Sequence, residues 1–241
     1  MEIRLNKFIS QAGIASRREA DRMITEGRVT VNGEVIQILG FKIDDEKDRV
    51  EVNGRRVKIE EGLVYLMLNK PSGYLVSLKD PLRRPTIRDL LTSIKRRVFP
   101  VGRLDYNSEG LLLLTNDGEL AYRLTHPRFK IKKVYLVKVK GESDSSKLSK
   151  LEKGIFLDGK KTAPAKIVPL EVSKKKTVLR VEIYEGRKRE IRRMFEAIGH
   201  MVVGLQRIKF DGLSLGNLKG GQWRYLTRKE IDILKRKVSQ K

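Results

Sequence analysis

The chain has 241 residues, and its 53 lysines and arginines against 30 aspartates and glutamates give a formal net charge of +23. Such a charge attracts phosphate polymers, so we expect a nucleic-acid partner. The lack of cysteine excludes disulfides, a thiol nucleophile and cysteine-ligated zinc, and with only two histidines no metal site is expected. No segment has the apolar length of a membrane span or a secretion signal, which predicts a cytoplasmic protein without membrane contact.

The first of two parts covers residues 1–60 and contains short helices and strands. Apolar residues at helical spacing predict a helix over 5–12, and a Ser-Arg-Arg-Glu capping box at 16–19 opens a second helix. The Val-Thr-Val alternation at 29–31 runs into Asn-Gly at 32–33, which predicts a β-hairpin. These signals together indicate a small, independently organised unit.

Cations are concentrated on the faces of this unit that do not form its core. Arg18 and Arg22 stand four residues apart, so they share one helix face. A solvated charged face is the ordinary interpretation of such residues. The face lacks a matching set of acids in the sequence, however, so we predict contact with RNA or DNA phosphates, which position a protein without reading sequence. The predicted contacts are Arg4, Lys7, Arg17, Arg18, Arg22 and Arg28.

Three segments of this part carry a family resemblance. They read Arg-Leu-Asn-Lys-Phe-Ile at 4–9, Gly-Ile-Ala-Ser-Arg-Arg-Glu-Ala at 13–20, and Gly-Arg-Val-Thr-Val-Asn-Gly at 27–33. Together they resemble the S4 domain, a small RNA-binding module found in ribosomal protein S4 and in several RNA-modifying enzymes. The resemblance covers about the first 50 residues and implies that this part binds RNA.

The second part, 61–241, begins after a Glu-Glu-Gly linker at 60–62. Its apolar patterns predict strands near 63–68, 110–115, 131–139, 161–171, 177–184 and 201–215. They predict helices near 86–92, 119–125, 145–153, 189–198 and 228–237. Many strands with few, scattered helices indicate an α+β fold with a mainly antiparallel sheet. No glycine-rich phosphate loop is present, so neither ATP nor NAD is expected as a cofactor.

One acidic residue of the second part stands out. Asp105 ends the sequence Gly-Arg-Leu-Asp at 102–105, beside Arg103 and just before an apolar strand. A neighbouring cation favours the ionised form of a carboxyl group, which can then act as a nucleophile or a base. Considered alone, the segment is better interpreted as a surface turn that Asp105 caps while pairing with Arg103.

Three other segments argue against a simple surface turn. In Lys-Val-Tyr at 133–135, Tyr135 alternates along a predicted strand, a pattern that usually indicates core packing. The helix predicted over 189–198 has arginines in its first turns, where the helix dipole disfavours cations, so they are expected to serve an anion. In Asn-Lys-Pro-Ser-Gly at 69–73, a strand ends in a loop.

Taken in order, these segments resemble the RsuA/RluB-type pseudouridine synthases, from the S4-like start to about residue 230. The resemblance implies that Asp105 is the catalytic aspartate and that Tyr135 lies against the target base. It implies a basic partner for the aspartate from the segment 189–194, where we assign Arg192 by position and keep Arg193 as the alternative. The remaining cations near the site are expected to contact RNA; they are Arg103, Arg189 and Arg193.

The implied reaction is the isomerisation of a uridine in RNA, which needs no cofactor and no metal. Whether Asp105 is the nucleophile or the base stays open. The target base must leave its stack to be reached. The expected partner is ribosomal RNA or a ribosome assembly intermediate, bound by a monomer. The sequences at 110–118 and 162–165 resemble more closely those of the family branch that modifies large-subunit (23S) rRNA. The alternatives are small-subunit (16S) rRNA as the substrate, or a non-catalytic rRNA-binding or ribosome-assembly protein.

Overall fold

The protein, represented here by a computed structural model, is described at residues 2–59 and 62–239. Its contacts divide the chain after Leu63 into two compact units. The predicted linker at 60–62 falls largely outside the described residues. None of the helices in these ranges has the length and apolar character that a membrane crossing requires.

The first unit contains two helices and six short strands. In chain order they are β1 (Glu2–Arg4), α1 (Leu5–Gln11), α2 (Arg17–Thr25), β2 (Val29–Val31), β3 (Glu34–Val35), β4 (Lys42–Asp44), β5 (Val50–Val52) and β6 (Arg55–Arg56). The Ser16 side chain accepts a hydrogen bond from the Glu19 backbone N–H at 3.2 Å and begins α2. Asn32 and Gly33 both have positive φ, 54° and 91°, as a type I′ turn between β2 and β3 requires. The predicted helices and hairpin are therefore confirmed.

The second unit carries a large sheet with helices against it. Its first elements are β7 (Tyr65–Lys70), β8 (Phe99–Pro100), β9 (Glu109–Thr115), α3 (Gly118–Thr125), β10 (Lys133–Lys140), α4 (Ser145–Glu152), β11 (Phe156–Leu157) and β12 (Lys160–Lys161). The remaining elements are β13 (Lys166–Val172), β14 (Lys176–Ile183), α5 (Glu190–Ala197), β15 (Val202–Phe210), β16 (Leu213–Ser214), β17 (Trp223–Tyr225) and α6 (Arg228–Ser239). Two 3₁₀ turns lie at Ile87–Leu90 and Pro127–Phe129.

The sheet confirms the predicted α+β class. Its strand order is β13-β14-β10-β15-β9-β7-β17, and every pair along it is antiparallel except β15 with β9. The leucines of β9 alternate between two buried clusters: Leu112 and Leu114 lie in one, and Leu111 and Leu113 in the other. A strand covered on both faces becomes continuously apolar, which explains the four consecutive leucines.

Some predicted elements are shorter than expected. The helix predicted over 86–92 is a single 3₁₀ turn, Ile87–Leu90. The strand predicted over 161–171 is divided into β12 and β13, and Pro164, which has no backbone N–H to donate, lies between them. The strand predicted over 201–215 turns at Asp211, where φ is 48°. Local patterns therefore located these segments but not their interruptions.

Candidate active site

The loop that carries Asp105 lies between β8 and β9. A backbone hydrogen bond from Ser108 N–H to the Asp105 carbonyl, 3.0 Å, closes a turn at this residue. Where the loop enters β9, a Cβ on Gly110 would stand 2.2 Å from the Arg207 carbonyl oxygen. Glycine at 110 thus permits β9 and β15 to approach closely, and their pairing fixes the end of the loop.

Two arginines from α5 and the residue before it lie at ion-pair distance from the aspartate. Asp105 Oδ2 is 3.9 Å from Arg192 Nε and 4.0 Å from Arg189 Nη1. The predicted partner Arg192 is therefore beside Asp105 although 87 residues separate them (192 − 105). Arg189, predicted as an RNA contact, stands equally close. The Asp105 side chain remains about one-third exposed, at 34%, so a substrate can reach it.

Arg192 is held in place by two backbone carbonyls. Its Nη1 donates to Val202 O and its Nη2 to Asn107 O, both at 3.0 Å. The Nε atom is buried and has no hydrogen-bond partner within the described ranges. Burial lowers the pKa of Arg192, Arg189 lowers it further, and Asp105 opposes the shift. The guanidinium thus joins α5 to the Asp105 loop, and its unpaired Nε lies 3.9 Å from the Asp105 carboxylate.

Tyr135 and Asp105 line one small pocket of about 90 Å³. Tyr135 is only 8% exposed and belongs to the buried cluster of the sheet, so its packing role is real as well. The apolar walls are Leu104, Ile183, Ile191 and Leu205. Charged residues surround the same space: Arg103, Arg187, Arg189 and Glu190. The pocket therefore combines one apolar, aromatic wall with an ionic rim.

Lys70, at the end of β7, is a residue whose role the sequence analysis missed. It is fully buried, and its Nζ donates to the carbonyls of Pro71 at 2.8 Å, Tyr106 at 3.2 Å and Ser108 at 2.8 Å. Burial lowers the pKa of Lys70 to about 8, while Glu109 and Asp105 act in the opposite direction. The lysine holds the segment that follows Asp105. The only signal in the sequence was a lysine at the apolar end of a strand.

A second missed group lies on the segment that leads into α5. Glu190 is 4% exposed and accepts a hydrogen bond from the Arg187 backbone N–H at 3.1 Å, while Arg187 Nε donates to Glu185 at 3.2 Å. Burial, followed by the hydrogen bond and the charge of Glu185, raises the pKa of Glu190 to about 8. Arg189 itself adopts a left-handed conformation with φ 51°. These contacts fix the turn that brings Arg189 to Asp105.

The arginine kept as the alternative partner points elsewhere. Arg193 Nη2 donates to Asp158 Oδ1 at 2.6 Å, in the turn between β11 and β12. The alternative assignment of Arg193 as the partner of Asp105 is therefore wrong in this geometry, because its guanidinium is already paired. Arg103, by contrast, is exposed and lines the pocket.

The cationic face of the first unit is more balanced than expected. Arg22 lies 2.5 Å from Glu19 and 3.6 Å from Glu26, and Arg28 lies 3.0 Å from Glu26. The expectation that this face lacks matching acids was wrong, because Glu19 and Glu26 fall within a helical turn of Arg22. Arg17 donates to Asn6 Oδ1 at 3.5 Å.

Three of the predicted RNA contacts in this unit remain free. In the part of the chain that the structure describes, the side chains of Arg4, Lys7 and Arg18 form no ion pair, and all three residues are exposed. Their charge is therefore available to an external anion. The six predicted contacts thus divide into a free set and a set engaged in contacts within the unit.

Comparison with known families and relatives gives the following matches. Residues 64–197 match the model of the RNA pseudouridylate synthase family, and residues 3–49 match that of the S4 domain. An uncharacterised RNA pseudouridine synthase of Aquifex aeolicus is 48% identical over 242 residues, covering 100% of this chain and 97% of the relative. The ribosomal large subunit pseudouridine synthase B of Bacillus subtilis is 47% identical, covering 96% of this chain and 95% of that relative.

A solved structure agrees with the fold. The crystal structure of a pseudouridylate synthase superposes with a TM-score of 0.69 at 33% sequence identity, covering 96% of this chain and 99% of that one. The similarity extends across both units rather than one of them, because the match spans nearly all of each chain.

Proposed function

Because this chain belongs to the RNA pseudouridine synthase family and carries an S4 domain, we propose that it isomerises a specific uridine of ribosomal RNA. The family reaction breaks the N-glycosidic bond of a uridine, turns the uracil, and forms a C–C bond to the same ribose. No group is transferred and no net redox change occurs, so the proposed enzyme needs no cofactor. The carrying observation is the position of Asp105, 3.9 Å from Arg192 at the rim of the pocket that Tyr135 lines.

Asp105 is proposed as the catalytic residue, acting either as a nucleophile or as a base toward the ribose. Either role requires a carboxylate that is charged and accessible, and neighbouring guanidinium groups favour the charged form. Arg192 is proposed as its partner, supported by the unpaired Nε that lies 3.9 Å from Asp105 Oδ2. Arg189 is proposed as a second cation of the site, since its distance to Asp105 is nearly the same.

Tyr135 is proposed to hold the extruded uracil by stacking. A flipped base leaves its neighbours at a cost of a few kcal/mol, and stacking on an aromatic ring returns about 1–3 kcal/mol. Tyr135 lines the Asp105 pocket and forms no hydrogen bond through its hydroxyl within the described residues. A ring contact without proton transfer is therefore the role that its surroundings support.

The two parts of the chain are proposed to have different roles, one in RNA binding and one in catalysis. Residues 1–60 form the RNA-binding domain and residues 61–241 the catalytic domain. The free cations Arg4, Lys7 and Arg18 are proposed as phosphate contacts of the first. Arg103 is proposed as an RNA contact of the second. The proposal includes a monomeric enzyme, because a single chain carries both a cationic RNA-binding module and the Asp105 pocket. It includes a cytoplasmic location, because the proposed substrate is ribosomal RNA.

Large-subunit rRNA is the proposed substrate. The support is the 47% identity to the Bacillus subtilis large-subunit enzyme over nearly the whole of both chains. Small-subunit rRNA is the alternative within the same activity. A non-catalytic assembly factor is the alternative outside it, but an acid between two arginines in a pocket has no use in simple phosphate binding.

The test is to incubate the purified protein with large- and small-subunit rRNA transcripts and to locate pseudouridines by chemical mapping. We expect one new pseudouridine, in the large-subunit transcript, and none with the Asp105→Asn variant. A new pseudouridine in small-subunit rRNA alone would reverse the choice of substrate. Binding of either rRNA without any pseudouridine would favour the assembly factor.

A further inference from the structure

Ser108 is a buried polar residue at the Asp105 pocket that no step of the proposed function uses. Only 1% of the residue is exposed, and it lines the pocket together with Asp105 and Tyr135. Its Oγ atom is buried and has no hydrogen-bond partner among the residues that the structure describes. Buried hydroxyl groups are normally hydrogen-bonded, because an unpaired one costs free energy. The position of this hydroxyl therefore indicates a hydrogen-bond partner on the substrate.

The backbone of Ser108 is fixed independently of its hydroxyl. Its N–H donates to the Asp105 carbonyl at 3.0 Å, and its carbonyl accepts a hydrogen bond from Lys70 Nζ at 2.8 Å. Lys70 is fully buried, so this contact lies inside the fold. Within the described ranges, the hydroxyl is thus the one polar group of Ser108 that remains unpaired. A group held in a fixed position is suited to binding a substrate atom.

The strand that follows places the Ser108 side chain on the same face of the sheet as Tyr135. Tyr135 and Leu112 belong to one buried cluster, and successive side chains of a strand alternate between its two faces. Ser108 precedes Leu112 by four residues, so it shares that face, whereas the exposed Glu109 falls on the other. The strand pattern and the lining of the pocket therefore agree on the direction of the Ser108 side chain.

The pocket is more deeply buried at Ser108 than at the catalytic carboxylate. The side chain of Asp105, which must reach the ribose, is 34% exposed, whereas Tyr135 and Ser108 are 8% and 1% exposed. The other uncharged walls of the pocket are apolar side chains, namely Leu104, Ile183, Ile191 and Leu205. An apolar and aromatic space suits a flat base better than a ribose or a phosphate. Ser108 therefore faces the base of the target nucleotide.

We propose that the Ser108 hydroxyl donates a hydrogen bond to a carbonyl oxygen of the target uracil. When the bond between N1 and the ribose breaks, its electron pair stays on the base, and the two carbonyl oxygens share the negative charge. A fixed donor at such an oxygen stabilises the charged base more than the neutral uridine, so it lowers the barrier to cleavage. The charge disappears when C5 bonds to the ribose and loses its proton while N1 gains one. This inference rests on the proposed function.

The first test is Ser108→Ala in the full-length protein, with single-turnover rates on the rRNA that the wild-type protein modifies. Alanine retains both backbone hydrogen bonds and removes only the hydroxyl. We expect the rate to fall about 10–100-fold and the RNA affinity to change less than about twofold, because the contact strengthens in the transition state. Ser143→Ala is the matched control. Ser143 is 8% exposed, its Oγ is also buried without a partner in the described part of the chain, and it does not line the pocket.

A second test assigns the contact to the base. The target uridine is replaced in a synthetic RNA by 2-thiouridine or by 4-thiouridine, because sulfur is a weak hydrogen-bond acceptor. The ratio of the wild-type rate to the Ser108→Ala rate should fall to about one on one of these RNAs and remain as on uridine with the other. Ser108→Cys offers a weaker donor of similar size, so its rate on uridine should lie between the two. It replaces the alanine variant if circular dichroism shows that the latter does not fold.

A wild-type rate in Ser108→Ala would overturn the inference, and so would equal losses of rate in Ser108→Ala and Ser143→Ala. A ratio of wild-type to variant rates that is the same on uridine and on both thio-substituted RNAs would assign the contact to another atom and overturn it as well. These results leave the proposed function intact, since wild-type pseudouridine formation is measured in the same series. A wild-type protein that forms no pseudouridine overturns the proposed function and this inference together.

Discussion

Arginine is used in opposite ways in the Asp105 pocket and on the first unit. Arg192 has a side chain only 13% exposed and gives two hydrogen bonds to backbone carbonyls, so its position is fixed. Arg18 is exposed and has no ion pair within the described residues. Chemistry at one atom requires a group in a fixed position, whereas attraction to phosphates tolerates a mobile one. The two regions should therefore respond differently to substitution and to salt.

The largest effect is expected from Asp105→Asn. The amide keeps the size of the side chain but removes the charge and the nucleophilic or basic oxygen, so pseudouridine formation should fall by about 10⁴-fold or more. RNA affinity, measured by filter binding at fixed salt, should change less than about threefold, because it depends on the phosphate contacts. An equal loss of RNA affinity and of the rate of pseudouridine formation would contradict the proposed difference between the Asp105 pocket and the first unit.

A smaller loss of rate is expected from Arg192→Gln. Glutamine can retain part of the hydrogen bonding to Val202 and Asn107 but cannot offer a cation to Asp105. We expect kcat to fall about 10²–10³-fold, as for the removal of one preorganised charged contact. The matched control is Arg193→Gln, since Arg193 pairs with Asp158 instead. Single-turnover rates with saturating enzyme separate the two, and similar losses in both variants would contradict the assignment of Arg192.

A pH dependence of stability is expected from Glu190. Its pKa is raised to about 8 by burial and by Glu185, from an ordinary value of 4.5, so the folded state retains a proton that the unfolded state releases. The free energy of unfolding should therefore be highest below about pH 4.5 as far as this group contributes, and should fall as pH rises toward 8.

Denaturant unfolding of wild type and Glu190→Gln at several pH values measures this contribution. Glutamine stays neutral at all of them, so the decline between about pH 5 and 8 should be weaker in the variant. An identical decline in both proteins would show that Glu190 is not the group that retains the proton.

The smallest effect is expected on the first unit. Arg18→Ala removes an unpaired cation and should raise the RNA dissociation constant several-fold, with a salt dependence reduced by about one unit of slope. Arg22→Ala removes a cation that Glu19 and Glu26 already balance, so its effect should be smaller. Both variants should leave single-turnover rates unchanged at saturation. A larger increase in the RNA dissociation constant for Arg22→Ala than for Arg18→Ala would contradict the prediction that the unpaired cation matters more.

Local signals in the chain identified most of the elements. The helix predicted near 228–237 is confirmed, and it begins at a capping box in which the Thr227 N–H donates to Glu230 at 2.9 Å and the Glu230 N–H donates to the Thr227 hydroxyl at 3.3 Å. The Asn-Gly turn and the run of leucines likewise allowed the hairpin and strand β9 to be predicted from the sequence. Short strands such as β8 and β17 were missed, because two or three residues carry no periodicity and form only where a neighbouring strand supplies partners.

Only some residues of the site could be predicted from the sequence. Asp105, Tyr135 and Arg192 came from a resemblance of motifs, since nothing in a single segment distinguishes an active aspartate from one that caps a turn. The roles of Lys70 and Glu190 could not be predicted, because both depend on burial and on partners distant along the chain. Glu19 and Glu26, which balance Arg22, lie within one helical turn of it, so this pairing was predictable from the sequence.

By itself, the sequence determined the charge, the chemical groups available, the two-part organisation of its patterns and the class of fold, because these depend on composition and on neighbours within a few residues. Only the tertiary structure decided which arginine faces Asp105 and that Arg193 pairs with Asp158. Those outcomes depend on close packing of segments that are 87 and 35 residues apart in the chain (192 − 105 and 193 − 158), which no local pattern encodes.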